Sequence, residues 1–112
     1  MGVGALLVIL SLLFLHWLGD FVLQSHKMAT NKSTSNKWLG LHCLTYMVPF
    51  ILIGFKYALV NGMIHFCVDY VTSRKTAKLY AKGDIHNFFV VVGLDQMLHY
   101  FTLITTYALM IG

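Results

Sequence analysis

The chain has 112 residues, of which 58% are hydrophobic and only 11% are charged, and its formal net charge is +4. This composition excludes an ordinary soluble domain of the same length and indicates residence in a lipid bilayer. The basic residues are not accompanied by a known nucleic-acid-binding motif, so we expect no nucleic acid as a partner.

Four hydrophobic segments follow one another along the chain, and each is predicted to be a helix. Their approximate bounds are residues 3–24, 38–55, 57–82 and 87–110. A membrane-spanning helix needs about 20 apolar residues. The first and fourth segments meet this need easily, whereas the apolar parts of the middle two are short or interrupted, and a half-inserted pair is the alternative for them. We predict a single domain over residues 1–112, an all-α polytopic membrane protein with four transmembrane helices in a bundle.

The connections between these segments constrain the bundle. Residues 25–37 are polar and have no apolar period, which predicts a loop. Residues 73–82 are rich in helix formers and should extend the third helix past the membrane surface, up to Gly83. The turn around residues 54–56 is so short that the second and third helices should be antiparallel neighbours. Pro49 should kink the second helix.

The basic residues predict the topology. Seven of the eight lie in residues 25–37 or 73–82. The positive-inside rule makes both segments cytoplasmic, so both termini should lie on the other side of the membrane. Arg74 and Lys75 are placed to contact anionic lipid headgroups, or the phosphate of a substrate, on the cytoplasmic side.

Three of the four acidic residues lie one helical turn from a histidine inside hydrophobic segments. The pairs are His16/Asp20, His65/Asp69 and Asp95/His99. Residues four apart share one face of a helix, and an ionisable group in an apolar span marks a functional site by default. The fourth helix runs against the first and third, so its reversed order places the histidines at one level and the aspartates about 6 Å away. His42, near the start of the second helix, should lie close to the aspartates.

Imidazole and carboxylate together suit divalent transition metals such as zinc, manganese or iron. The predicted metal ligands are His16, Asp20, His42, His65, Asp69, Asp95 and His99. Two ions about 3.5–4 Å apart would use this set, and one ion with supporting His–Asp pairs is equally consistent. Asp20 and Asp95 are the predicted catalytic residues, since an aspartate or histidine that is not used as a ligand would act as the base. Gln24, Asn61 and Gln96 should orient ligands or substrate.

The simpler interpretation is structural, because buried polar side chains also hydrogen-bond helices to one another in lipid. A single His–Asp pair would more often have that role. Three pairs with matching polarity favour a site that handles a metal ion or protons.

The segments that carry these residues resemble a known family. The strings HWLGDFVLQS, LHCLTY, NGMIHFCVDYVTSRK and LDQMLHY are similar to a small family of bacterial and phage integral-membrane proteins, catalogued only as a domain of unknown function. The resemblance covers nearly the whole chain. It implies a location in the bacterial inner membrane and supplies no activity. The signature positions that it implies are His16, Asp20, Gln24, His42, His65, Asp69, Asp95, Gln96 and His99. A looser analogy connects the pattern to membrane-bound metal-dependent hydrolases.

Three functions are left open by the sequence. The first is a metal-dependent hydrolase that acts on a lipid or a phosphorylated amphiphile. The second is a metal-ion or proton channel or transporter, built as a homo-oligomer because four short helices enclose little volume. The first helix is wholly apolar from Val3 to Leu10, which argues against a continuous path for ions or protons along it. The third is a phage-type interaction or exclusion protein in which the site is structural.

Overall fold

The computed structural model describes residues 2–112. Within this range the chain forms five α-helices and no strand, so the all-α prediction is confirmed. The helices are α1 (Val3–Trp17), α2 (His26–Asn31), α3 (Asn36–Phe50), α4 (Phe55–Ala81) and α5 (Ile85–Met110). A π-helical turn, Leu18–Val22, continues α1 without a break.

Two helices in the described part of the chain are long and apolar enough to cross a membrane. They are Val3–Val22, which includes the π turn, and Ile85–Met110. Helix α3 has only 15 residues, and α4 carries charged residues in its second half. Four transmembrane helices therefore remain a prediction.

Side-chain caps explain where three of the helices begin. The Ser25 hydroxyl accepts from the Met28 N–H at 3.2 Å, Ser35 caps α3 in the same way, and Asp84 caps α5. Such caps satisfy N–H groups that have no partner within a helix. The first cap starts α2 inside residues 25–37, where the sequence predicted a loop. That prediction was wrong because a short helix of six residues with a side-chain cap can form without regularly spaced apolar residues.

The end of α3 differs from the predicted kink at Pro49. The helix ends one residue later, at Phe50, and residues 51–53 continue as a turn in which Ile51 N–H donates to Val48 O at 3.2 Å. A proline in the last turn removes a backbone donor and so favours the end of a helix. Helix α4 starts at Phe55, and the short connection leaves α3 and α4 packed as neighbours.

The long helices form a closed ring with its own apolar core. Helix α1 packs on α3 and α5, and α4 packs on α3 and α5. The core lies in the half of the ring away from α2 and consists of Leu12, Tyr46, Phe50, Tyr57, Ala58 and Leu103. The outer faces are also apolar, with Phe14 56% and Phe101 64% exposed. An apolar exterior of this kind matches a lipid environment.

Candidate metal centre

All seven predicted ligands lie together inside the ring, between the apolar core and α2. Each is at least nine-tenths buried. The four long helical segments contribute to the group, which is formed by His16 and Asp20 of the first, His42 of α3, His65 and Asp69 of α4, and Asp95 and His99 of α5. The three predicted i, i+4 pairs are in contact, with nitrogen–oxygen distances of 3.4, 3.3 and 3.1 Å.

The π turn places Asp20 against α3. In this turn Leu23 N–H donates to Leu18 O at 2.9 Å, five residues back, which adds a residue to the helical turn. Gly19 makes the close approach to α3 feasible, since a Cβ atom there would lie 3.0 Å from the Tyr46 carbonyl oxygen. Asp20 Oδ1 thereby comes 3.0 Å from His42 Nε2.

Four side chains each bring one potential ligand atom to within 4.8 Å of the others: Asp20, His42, His65 and Asp69. The Nε2 atoms of His42 and His65 are 3.0 Å apart. Asp20 Oδ1 lies 3.0 and 3.5 Å from these two nitrogens, and Asp69 Oδ2 lies 3.4 and 3.3 Å from them. Ligands about 2.0–2.1 Å from one tetrahedral ion are separated by about 3.3–3.4 Å. The arrangement therefore has the dimensions of a metal site.

Hydrogen bonding leaves several atoms of this group without a partner. Although Asp20 Oδ1 is close to His42 Nε2, it has no aligned hydrogen-bond partner among residues 2–112, and neither Nδ1 of His42 nor Nδ1 of His65 has one. At most one proton can lie between the two facing Nε2 atoms. A buried polar atom without a partner costs about 1–3 kcal/mol. A cation bound among the four ligand atoms would satisfy the two Nε2 atoms and Asp20 Oδ1 together.

A second group adjoins the first and is centred on His99. Its Nε2 lies 3.1 Å from Asp95 Oδ1 and 3.3 Å from Asp69 Oδ1. Asp20, Asp95 and His99 also come close enough together to hold an ion. The Asp95 carboxylate is held in place by Thr72, whose hydroxyl donates to Oδ1 at 2.6 Å.

His16 lies at the edge of the cluster, where hydrogen bonds engage both of its ring nitrogens. Nε2 is 2.7 Å from the Gln96 Oε1 acceptor, so it carries the proton, and Nδ1 accepts from the Tyr46 hydroxyl at 2.9 Å. Gln96 also donates to Asp95 Oδ2 at 3.1 Å. These bonds position the cluster, and they leave His16 outside both converging groups.

Four other residues were predicted to support the site or to contact phosphate: Asn61, Gln24, Arg74 and Lys75. Asn61 donates to Thr106 Oγ1 at 2.9 Å and so joins α4 to α5. Gln24 Oε1 is buried without a hydrogen-bond partner in the described chain. The Arg74 guanidinium lies over the Tyr70 ring at 3.8 Å and donates to Asn36. Lys75 is exposed. The structure does not bring Arg74 or Lys75 to the cluster.

Lys32 belongs to the cluster and was missed by the sequence reasoning. It follows α2, which folds back over the carboxylates and places Lys32 Nζ 3.5 Å from Asp69 Oδ2. Burial disfavours the Lys32 charge, but Asp69, Asp20 and Asp95 outweigh that effect and raise the pKa of its ammonium group. In the sequence Lys32 is one basic residue among several, and only the fold of α2 distinguishes it.

A cavity of about 160 Å³ connects the carboxylates with the α2 side of the molecule. Its lining includes all three buried aspartates and Lys32, and is completed by Phe21, Thr72, Ser73, Thr76, Val92 and Gln96. The Ser73 hydroxyl is buried and has no hydrogen-bond partner in the described range. The cluster is therefore open to a small polar ligand from this side.

Comparison with known proteins gives one match. A family model described as "Protein of unknown function (DUF3307)" matches residues 8–112, a range that contains every residue of the cluster. No curated protein and no solved structure matches the chain. The resemblance to a family catalogued as a domain of unknown function is confirmed.

Proposed function

Because the chain belongs to the DUF3307 family of proteins of unknown function, its activity has to be inferred from its own site, and we propose that it is a membrane-embedded, metal-dependent hydrolase. The observation that carries the proposal is the convergence of Asp20, His42, His65 and Asp69 beside an open cavity. Imidazole and carboxylate ligands favour zinc, manganese or iron.

The cavity is the reason for proposing catalysis. Structural zinc sites are closed by their four protein ligands, whereas catalytic sites keep a position open to water or substrate. Here Asp20 and Asp69 belong both to the converging group and to the cavity lining. A divalent ion held by that group would lower the pKa of a water molecule in the cavity and polarise the bond to be broken.

The residues around the cavity indicate the substrate class. Lys32 supplies a positive charge and Ser73 a free hydroxyl, which together suit a phosphoryl group or another anionic headgroup. Phe21 also lines the cavity and is 48% exposed on the apolar outer surface. An amphiphile with its headgroup in the cavity would lay its apolar part against that surface.

Hydrolysis of such a substrate needs only water as a second reactant. The water oxygen forms a bond to the phosphorus or carbonyl carbon, the bond to the leaving alcohol oxygen breaks, and the alcohol departs with a proton from the water. Lys32 would neutralise charge on the group under attack, while the Thr72 bond to Asp95 would keep that carboxylate directed into the cavity.

The proposed location is the cytoplasmic side of a bacterial inner membrane. Seven of the eight basic residues lie at the end of the bundle that carries α2, and the positive-inside rule assigns this end to the cytoplasm. Both termini would then be non-cytoplasmic, and anionic headgroups would lie near Lys75. Since one chain supplies every ligand, the proposal does not require a homo-oligomer.

Ion transport receives less support. The half of the ring beyond the cluster is filled by apolar side chains, including Leu12, Phe50 and Leu103. Such a core opposes the passage of an ion, which would lose its hydration there.

A screen of full-length protein in detergent tests the proposal. After chelation and reloading with zinc, manganese or iron, turnover of a phosphomonoester, a prenyl diphosphate and a phospholipid is measured. We expect metal-dependent hydrolysis of at least one of these, lost in His65→Ala and retained in the surface variant His26→Ala. Metal-loaded, folded protein that hydrolyses none of them would reject the assignment.

A further inference from the structure

We infer that the cluster holds two divalent ions, bridged by the carboxylates of Asp20 and Asp69. The inference rests on the metal site of the proposed function and adds a second ion to it. Its first support is Asp69, whose two oxygens face different histidines. Oδ2 lies 3.4 Å from His42 Nε2 and 3.3 Å from His65 Nε2, whereas Oδ1 lies 3.3 Å from His99 Nε2.

Asp20 also belongs to both groups. Its Oδ1 lies 3.0 Å from His42 Nε2 and belongs to the first group. The Asp20 carboxylate also comes together with Asp95 and His99 in a second set of ligands, and all three side chains are buried. A carboxylate that belongs to two adjacent sets of ligands is positioned to bridge two ions.

The second ion position has ligands of its own. His99 Nε2 and Asp95 Oδ1 are 3.1 Å apart, which is close to the separation of two ligands on one ion. The His99 ring stacks on the His65 ring with centroids 4.0 Å apart. The two imidazoles are therefore placed to bind two neighbouring ions. The ions of two-metal hydrolytic sites lie about 3.5–4 Å apart, which is close to this ring separation.

This assignment changes the predicted role of Asp95. As a ligand of the second ion it would not be the free base that the sequence indicated, and the same holds for Asp20, which would bridge the two ions. A pair of divalent ions together with Lys32 would also carry more positive charge than the three carboxylates neutralise. The site would then favour an anionic ligand, such as hydroxide or a phosphoryl group, between the ions.

Manganese stoichiometry of the full-length protein in detergent tests the inference. After chelator treatment and dialysis against Mn²⁺, we expect two ions per chain in the wild type and one in Asp95→Asn and in His99→Gln. The matched controls are Asp84→Asn, at the N-cap of α5, and the exposed His86→Ala on α5, and both should keep two ions. Electron paramagnetic resonance should show two exchange-coupled ions in the wild type and an isolated ion in His99→Gln.

The possible results separate the two proposals. One ion per chain in the wild type, unchanged in His99→Gln and lost in His65→Ala, would overturn the second ion and leave the metal site of the proposed function intact. No bound ion in folded wild-type protein would overturn both. If circular dichroism shows that His99→Gln does not fold, Asp95→Asn replaces it. The number of ions per wild-type chain still decides whether a second ion is bound.

Discussion

At the scale of single residues, the cluster depends on side chains that hold its ligands as well as on the ligands. Tyr46 does this in two ways, since its ring stacks on His65 with centroids 3.9 Å apart and its hydroxyl donates to His16. His16 in turn bonds Gln96, and Gln96 bonds Asp95. A chain of hydrogen bonds therefore extends from α3 to α5 along one side of the candidate metal centre.

Replacing Tyr46 by Phe tests this supporting role. The change leaves His16 Nδ1 buried without a donor, so the free energy of unfolding should fall by about 1–3 kcal/mol. The ion content should not change, because His16 lies outside both converging groups. Denaturant unfolding in detergent and elemental analysis measure the two quantities. Tyr80→Phe, at an exposed tyrosine, is the control. Loss of metal in Tyr46→Phe would contradict this prediction and show that the hydrogen bonds through His16 are needed to hold the metal ligands.

Replacing Lys32 by Met tests the anion-binding role. A hydrogen bond to a charged group contributes about 1.5–3 kcal/mol, so inorganic phosphate should bind the metal-loaded variant at least about tenfold more weakly than the wild type. Isothermal titration measures the binding, with the exposed Lys27→Met as control. Equal phosphate affinity in wild type and Lys32→Met would show that Lys32 only balances the charge of Asp69.

At the scale of secondary structure, the π turn controls the distance between α1 and α3. Gly19→Ala should be harmful, because its Cβ would lie 3.0 Å from the Tyr46 carbonyl oxygen and 3.3 Å from Pro49 Cγ. We expect a loss of about 1–3 kcal/mol of stability and weaker metal binding, since Asp20 must move away from His42. Gly40→Ala in α3 meets no atom within 4 Å and is the control. Comparable stability and metal content in the two variants would contradict this account.

The sequence indicated the His–Asp pairs but not the π turn or helix α2. His65 and Asp69 were predictable as partners, because a helix fixes the direction of residues four apart and apolar neighbours mark the span. The π turn at Asp20 was not predictable, since it depends on how closely Gly19 packs on α3. Lys32 was missed for a related reason, because its position is set by the return of α2 over the carboxylates.

At the scale of the whole molecule, metal binding and folding should be coupled. Three carboxylates are buried together in one ring of helices, and the single positive charge of Lys32 offsets only part of their mutual repulsion. A metal at 100 times its dissociation constant should stabilise the protein by about 2.7 kcal/mol. Thermal unfolding with and without added metal measures this effect, which should be present in His26→Ala. An equal shift in His65→Ala would point to binding elsewhere.

Elemental analysis of purified wild-type protein and His65→Ala is the most direct test of a metal centre, with folding checked by circular dichroism. His26→Ala serves as the surface control. We predict at least one divalent transition-metal ion per chain in the wild type and in His26→Ala, and a clear loss in folded His65→Ala. Wild-type protein without metal, even after reloading, would contradict the account and leave the His/Asp cluster as a structural or proton-handling network.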